Sequence, residues 1–411
     1  MASKRRHRRR WIKKSLLGLL IVLIVVSVVN YFRPIPALTP TTISLKIPTT
    51  VTTTLQWPNI GNAQAAIGAQ GYGLLATDGA QTQQPTASVA KLVTTLLVLK
   101  KYPLQINQTA TPIITFGASD VALYQAYLAE NGSVAKVETG EQLSEYQALQ
   151  AMLLPSANNI ADSLAIWAYG SLAQYAVAAN DYLVNNLGLK NTTIGSDASG
   201  FLPSTTSTAS DLTTLGLDAL QNPVIAQIVA EKEALIPVAG TIYNVNQLLD
   251  QNGIVGIKTG NSDQAGGVYT FAYDDQLDPG HSVLIVGTIQ GAPTLANSFS
   301  LGEQLINFAK DSFSQRVVVA ANQEIGYYKI PWDKKSVSAV SATALTPIVW
   351  ASNSPKPVVG LSSFSAPRSA GASVGSVNLL RSSTNSASAR VILSRSVGSA
   401  PWWWRILRFI P

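Results

Sequence analysis

The side chains of this chain best suited to covalent chemistry are serines and lysines. There is no cysteine, and the two histidines are His7 and His281. A thiolate, a zinc centre or a Ser-His-Asp triad therefore has almost nothing to be built from. A nucleophilic serine here needs another base, and Ser88-Val89-Ala90-Lys91 supplies a lysine three residues on. The tetrapeptide opens an apolar run (Leu92, Val93, Leu96, Leu97, Leu99), which predicts the N-terminus of a buried helix. The i, i+3 spacing sets Lys91 within reach of Ser88, and the helix dipole there favours developing negative charge. A lysine at its ordinary pKa of about 10.4 is a poor base at neutral pH. Burial in an apolar wall lowers it by several units, so Lys91 can deprotonate Ser88 for attack on a carbonyl.

The same four letters recur at Ser133-Val134-Ala135-Lys136, after Asn131-Gly132 and before Gly140, a turn-rich setting with no helix to follow. Context therefore selects Ser88. Two further tokens join it. Ser156-Ala157-Asn158 follows Pro155, whose break aims both side chains into a cleft. Lys258-Thr259-Gly260 occurs once, in an edge-like strand from Gly253 to Ser262, where a lysine and a hydroxyl can hold a terminal carboxylate. Gly260 leaves room there for close approach to the backbone.

With S-x-x-K, S-x-N and K-T-G in this order, the chain resembles the penicillin-recognising serine enzymes. More narrowly it resembles the serine-type D-alanyl-D-alanine carboxypeptidases, the low-molecular-mass penicillin-binding proteins of peptidase family S11. Leu153 to Asn159, Ser207-Thr208-Ala209-Ser210-Asp211-Leu212 and Gly256 to Gly266 carry the likeness beyond the three tokens. The resemblance implies that Ser88 is acylated, Lys91 is its base, and Ser156 passes a proton to the leaving D-alanine. It implies that Asn158 binds the substrate peptide and that Lys258 and Thr259 orient its carboxylate beside Gly260. The backbone N–H groups of Ser88 and Asn261 would form the oxyanion hole, typically ~3 kcal/mol per donor. Peptidoglycan stem peptides are the implied substrates and β-lactams the implied covalent inhibitors, with no metal or cofactor. The chain departs from the family in Asn159, where an aspartate is usual, and in lacking a histidine near K-T-G or S-T-A-S-D. A D,D-endopeptidase, a β-lactamase-like hydrolase of the same fold and a non-catalytic wall-binding protein are the alternatives. A class A β-lactamase needs a glutamate in the loop between S-x-N and K-T-G to activate the deacylating water; the chain has no glutamate between Glu145 and Glu231.

These tokens need a scaffold. Ala65 to Ala76 predicts a hairpin, residues 118 to 225 a mainly helical block broken at Gly140, Pro155 and Gly195 to Ser210, and 253 to 290 further strands before a helix. The order implies an α+β fold of the serine β-lactamase/transpeptidase type, an antiparallel sheet flanked by helices with a mainly helical subdomain, over residues 65–315. Residues 316–350 are expected as a small β-rich segment. Residues 351–400, rich in Ser, Ala and Gly, are expected to be a disordered linker.

The termini carry the basic charge. Residues 1–14 hold eight Lys/Arg and 351–411 hold seven, neither with an acid, which leaves 14 basic against 22 acidic residues between them. The net +7 is thus no nucleic-acid footprint. The cytoplasmic basic tail 1–14 precedes eighteen mostly Leu/Ile/Val residues, 15–32, which as a helix span roughly 27 Å, close to the thickness of a bilayer core. The positive-inside rule puts everything after Arg33 outside the cell membrane, on a stalk of residues 33–64. A cleaved signal peptide is the rival reading, but no A-x-A site follows. Residues 401–411, with three tryptophans and two arginines, read as an interfacial tail, giving lipid contact at both termini.

Overall fold

No proline interrupts the N-terminal apolar run before Pro34, and in the computed structural model helix α1 (Ala2–Phe32) runs through it and the basic stretch before it. Residues Trp11–Phe32, 22 of them with an 18-residue window at a mean hydropathy of 2.5, are long and apolar enough to cross a membrane. The structure describes residues 2–45, 56–108, 111–278, 281–310, 312–351, 356–379 and 387–408. Parts of the expected stalk, linker and tail lie outside these residues. The chain divides into two units, one of residues 52–314 and one of residues 1–51 with 315–411.

The expected stalk is partly a strand. β1 (Pro40–Thr42) belongs to the sheet of the second unit. Residues 52–314 then build the α+β unit. The predicted hairpin is β2 (Gln64–Ala69) and β3 (Gly73–Asp78). Helices α2 (Lys91–Lys101), α3 (Ala118–Ala129), α4 (Glu145–Leu153), α5 (Asn158–Tyr169), α6 (Leu172–Asn185), α7 (Ala209–Ala219) and α8 (Pro223–Val229) make the helical block. Strands β4 (Ile254–Ser262), β5 (Gly266–Asp278) and β6 (His281–Ala292) and helix α9 (Leu295–Lys310) complete it. The sheet is antiparallel in the order β4-β5-β6-β2-β3, so β4 is an edge.

Successive side chains of a strand face opposite sides, and two helix glycines exploit this. A Cβ on Gly216 of α7 would meet Thr270 at 3.2 Å, whereas one on Gly302 of α9 would meet Tyr269 at 2.8 Å. The two helices therefore cover opposite faces of β5. Helix α2 is buried from Lys91 to Leu99, which places its one early lysine in the middle of the core.

In the second unit, β7 (Glu324–Tyr328), β8 (Val337–Ser341), β9 (Pro357–Leu361), β10 (Ser373–Leu379) and β11 (Ala387–Leu393) join β1 in one sheet, β7 pairing with it directly. They form a six-stranded sheet in the order β1-β7-β8-β11-β10-β9. The expectation of a disordered linker over 351–400 is thus wrong for most of its length. Val374, Val377 and Leu379 on β10 and Ala389, Val391 and Leu393 on β11 supply a buried face, disguised in the sequence by the polar residues between them. Helix α10 (Trp402–Leu407) ends the described chain.

Candidate active site

Ser88 sits one step before the helix that its sequence context predicts. Residues Ala87–Ala90 form a 3-10 turn and the α-helix begins at Lys91. The turn is held from both sides. Residues Gln84 and Pro85 pair with Ser207 and Thr206, the Thr86 N–H donates to the Thr205 carbonyl at 3.1 Å, and the buried Gln290 amide donates to the carbonyls of Gln84 and Ser207 at 3.0 and 3.3 Å. Ala87 has φ +45°, a strained value for a residue with a Cβ. Ser88 is half-buried at its mouth.

Lys91 is fully buried. Its Nζ lies 2.7 Å from Ser88 Oγ, 2.7 Å from Asn158 Oδ1 and 3.1 Å from the Ser199 carbonyl. Burial holds its pKa well below the ordinary lysine range and the Lys258 charge pushes the same way, while Asp197 and Asp162 oppose both. A neutral amine has two N–H groups and one lone pair. Two of its three neighbours, Asn158 Oδ1 and the Ser199 carbonyl, can only accept. They take the two N–H groups and leave the lone pair directed at the Ser88 hydroxyl.

Ser156 lies between α4 and α5 at φ +66°, turned inward by the break at Pro155. Its Oγ accepts a hydrogen bond of 2.9 Å from Lys258 Nζ, which also donates to the Thr259 carbonyl at 3.1 Å. Lys258 is buried too, and burial lowers its pKa to about 7. Neither lysine lines the cavity of ≈ 260 Å³ at the site; Ser88, Ser133, Ser156, Asn158, Thr259, Gly260 and Asn261 do, with Phe201 and Leu295. Each lysine stands behind a serine hydroxyl. No carboxylate is among the lining residues.

Gly260 has a structural role besides the ligand approach expected from sequence. A Cβ there would lie 2.9 Å from the Thr86 carbonyl and 3.1 Å from the Ser88 nitrogen. The missing side chain lets edge strand β4 close on the turn that carries Ser88. As an edge strand, β4 leaves alternate N–H groups without a sheet partner, and Asn261 on it lines the cavity.

The structure brings the second S-x-x-K copy to the same cavity by a different route. Ser133 lines it, whereas Lys136 is exposed and pairs with Glu138 at 2.9 Å. The Ser133 carbonyl accepts from the Asn158 N–H at 2.7 Å. Asn159, where the family usually has an aspartate, accepts from the Ala135 N–H at 3.1 Å and donates to the Ala135 carbonyl at 2.9 Å. An aspartate carboxylate could not make the second bond, so this asparagine clips the 133–137 loop against α5. Sequence reasoning missed Asp162, Asp197 and Ser199. The local signal of the last two is an Asp-x-Ser-Gly run at 197–200, Asp162 has none, and what the three do depends on a loop fold that spacing does not reveal.

The family model for D-alanyl-D-alanine carboxypeptidase, peptidase S11, matches residues 54–278. The D-alanyl-D-alanine carboxypeptidase DacB2 of Mycobacterium tuberculosis is 33% identical over 187 residues, 44% of this chain and 59% of that protein; the match thus spans under two thirds of the relative's length. The Streptomyces K15 DD-transpeptidase superposes with a TM-score of 0.54 at 25% identity, covering 62% of this chain and 98% of the other. Penicillin-binding protein 5 of Haemophilus influenzae matches in fold with a TM-score of 0.58 at 21% identity, over 84% of this chain and 99% of its own. A peptidoglycan synthesis regulatory factor (PBP3) from Streptococcus pneumoniae does so at 0.59 and 18%, over 82% and 99%.

Proposed function

Because the chain belongs to the peptidase S11 family of D-alanyl-D-alanine carboxypeptidases, we propose that it removes the terminal D-alanine from peptidoglycan stem pentapeptides through an acyl-enzyme on Ser88. The observation that carries this is the coordination of Lys91, whose buried Nζ lies 2.7 Å from Ser88 Oγ and has two further acceptors, Asn158 Oδ1 and the Ser199 carbonyl, for its N–H groups once it is neutral.

Lys91 takes the Ser88 proton as Oγ attacks the carbonyl of the penultimate D-alanine. The oxyanion of the tetrahedral intermediate rests on the N–H groups of Ser88 and Asn261. The C–N bond then breaks, and the leaving amine takes a proton through Ser156, which Lys258 can resupply. Water hydrolyses the ester by the reverse proton path. Thr259 and the charge of Lys258 hold the substrate's terminal carboxylate, and Asn158 holds its peptide. β-Lactams acylate the same oxygen. Among the described residues no carboxylate lines the cavity to activate a deacylating water, which favours a long-lived penicilloyl adduct over rapid β-lactam hydrolysis. The endopeptidase reading differs only in the leaving group.

The chain is read as anchored through α1 with residues 1–14 in the cytoplasm. Support for an uncleaved anchor comes from α10. Arg408 donates to the carbonyl of Asn30 at 2.8 Å, to that of Pro34 at 3.2 Å and to that of Arg33, and Asn30 Nδ2 donates to the Ile406 carbonyl at 3.4 Å. Cleavage after the helix would discard one side of this clasp. Exposed Trp402 and Trp403 then sit at the level of the outer headgroups.

Intact mass after penicillin treatment tests the assignment. Wild type and Ser133→Ala should gain one penicilloyl group and Ser88→Ala none. Release of D-alanine from a synthetic pentapeptide by wild type completes the test, and an adduct retained by Ser88→Ala overturns the reading.

A further inference from the structure

Lys91 is oriented from one side by a side chain, Asn158, and from the other by a backbone carbonyl, that of Ser199. A backbone acceptor is only as well placed as its loop, so what holds residues 197–201 decides where the lone pair of Lys91 points. One buried oxygen holds most of it. Asp197 Oδ2 accepts from the Ser199 N–H at 3.1 Å, from Ser199 Oγ at 2.6 Å and from the Phe201 N–H at 2.9 Å. The loop is pinned again at Ala198, whose N–H donates to Asp162 Oδ1 at 2.8 Å and whose carbonyl accepts from Thr94 Oγ1 at 2.6 Å. Gly200 closes it, at φ +70°, against the turn of the nucleophile: a Cβ there would lie 2.1 Å from the Ala87 carbonyl.

We propose that Asp197 is a positioning residue for the base Lys91: its carboxylate folds the 197–201 loop so that the Ser199 carbonyl occupies one N–H of the amine and the lone pair faces Ser88. The proposal rests on the reading of Ser88 and Lys91 as nucleophile and base. Asp197 touches neither the cavity nor Lys91 itself through any hydrogen bond among the described residues, and acts through Ser199.

The second oxygen, Oδ1, is buried with no hydrogen-bond partner among the described residues. Leaving a carboxylate oxygen unpaired costs stability, and an asparagine would clip the loop as well, since Oδ2 alone makes the three bonds. The difference between the two is charge. The charged groups facing Lys91 are Lys258 from β4, Asp162 from α5 and Asp197 from the loop. Behind them stand the phenols Tyr127, which donates to Asp162 at 2.6 Å, and Tyr175, 2.7 Å from Thr94 Oγ1. An anion beside Lys91 favours the ammonium. Acylation needs the free amine, so Asp197 holds the acid limb of the acylation rate at higher pH than burial and Lys258 alone would set. Clip and charge are thus separable by substitution.

The test is the second-order rate of acylation of the full chain in detergent micelles by a fluorescent penicillin, from about pH 5 to 10, for wild type, Asp197→Asn and Asp197→Ala. Asp197→Asn keeps the three acceptor bonds. It should retain the plateau rate within about threefold and shift the acid limb to lower pH by about one unit. Asp197→Ala should make the same shift and also lose at least about tenfold on the plateau, as a base misplaced by a fraction of an ångström does. A melting curve within a few degrees of wild type identifies Asp197→Asn as folded. A folded Asp197→Asn with an unmoved acid limb overturns the proposal, as does an Asp197→Ala with the wild-type plateau. Failure of wild type itself to be acylated at every pH would instead overturn the assignment of Ser88.

Discussion

Lys258 retains only 2% of its surface, and an ammonium out of water is favoured far less than one in it. That burial, which brings its pKa to about 7, gives the proposed carboxylate clamp a pH dependence. Protonated Lys258 attracts a substrate carboxylate and neutral Lys258 does not, so the attraction is present below about 7 and is lost as pH rises through it. Acylation by a penicillin carrying its free carboxylate should therefore fall above about pH 7, by roughly 10- to 100-fold in all, the worth of one charged hydrogen bond of ~1.5–3 kcal/mol. The methyl ester of the same penicillin should show no such alkaline limb. Parallel pH profiles for acid and ester would dismiss Lys258 as the clamp. Asn159 allows a second check at this scale. Asn159→Asp should lose the bond to the Ala135 carbonyl, loosen the 133–137 loop and lower the melting temperature by the equivalent of ~1–2 kcal/mol, with Ser88 still acylated. The three tokens of the proposed site are legible in the sequence because each is contiguous and its chemistry is carried by side-chain type. Asp197, Asp162 and the clip made by Asn159 are not legible, because they act on backbone groups 2 to 36 residues away, and nothing in composition says which carbonyl a loop will present.

The elements that position the site are legible where periodicity is strong and obscure where it is diluted. Helix α2 and edge strand β4 follow from their apolar residues, and β4 also from Gly253 just before it. Their meeting point follows only in part. A Cβ on Gly260 would meet the Ser88 turn at 2.9 to 3.1 Å, so the absent side chain sets the distance between the strand and that turn. Gly260→Ala should push β4 outward, cost about 1–3 kcal/mol of stability as overpacking, and slow penicillin acylation by about 10²-fold or more. An unchanged acylation rate in a folded Gly260→Ala would show that the strand does not set the geometry of attack. The strands of the second unit escape sequence reading for the opposite reason. In β10 and β11 the apolar residues of the inner face are spaced by Ser, Asn and Arg, so the segment as a whole looks polar. A polar composition leaves a chain disordered only when no face can be buried, and here one face can.

Over the whole molecule, charge separates by unit. Residues 52–314 hold 8 basic and 20 acidic residues, whereas residues 1–51 with 315–411 hold 21 basic and 2 acidic. A net charge of +7 conceals an anionic catalytic unit and a strongly cationic partner. An anionic surface attracts one and repels the other, and at physiological salt the effect reaches about 8 Å. The cationic unit includes α1 and α10, where Arg405 lies over Tyr31 with its guanidinium 5.7 Å from the ring centre and Arg408 stacks at 5.4 Å on Trp404. Burial lowers the Arg408 pKa, and the charges of Arg33 and Arg405 crowding it lower it further. Among the described residues no acid pairs with any of the three. Phosphate headgroups at the end of α1 would relieve that crowding, at ~1 kcal/mol per arginine near the surface. Full chain reconstituted in bilayers rich in phosphatidylglycerol should therefore show tryptophan quenching by lipids brominated near the headgroup. That quenching should drop in the double variant Trp402→Phe, Trp403→Phe, and it should weaken for wild type in phosphatidylcholine at about 0.5 M salt, where screening and a neutral surface deprive α10 of its anionic partners. If wild type and the double variant are quenched alike in both lipids, α10 does not lie at the membrane surface, and the positive charge around it has some other use.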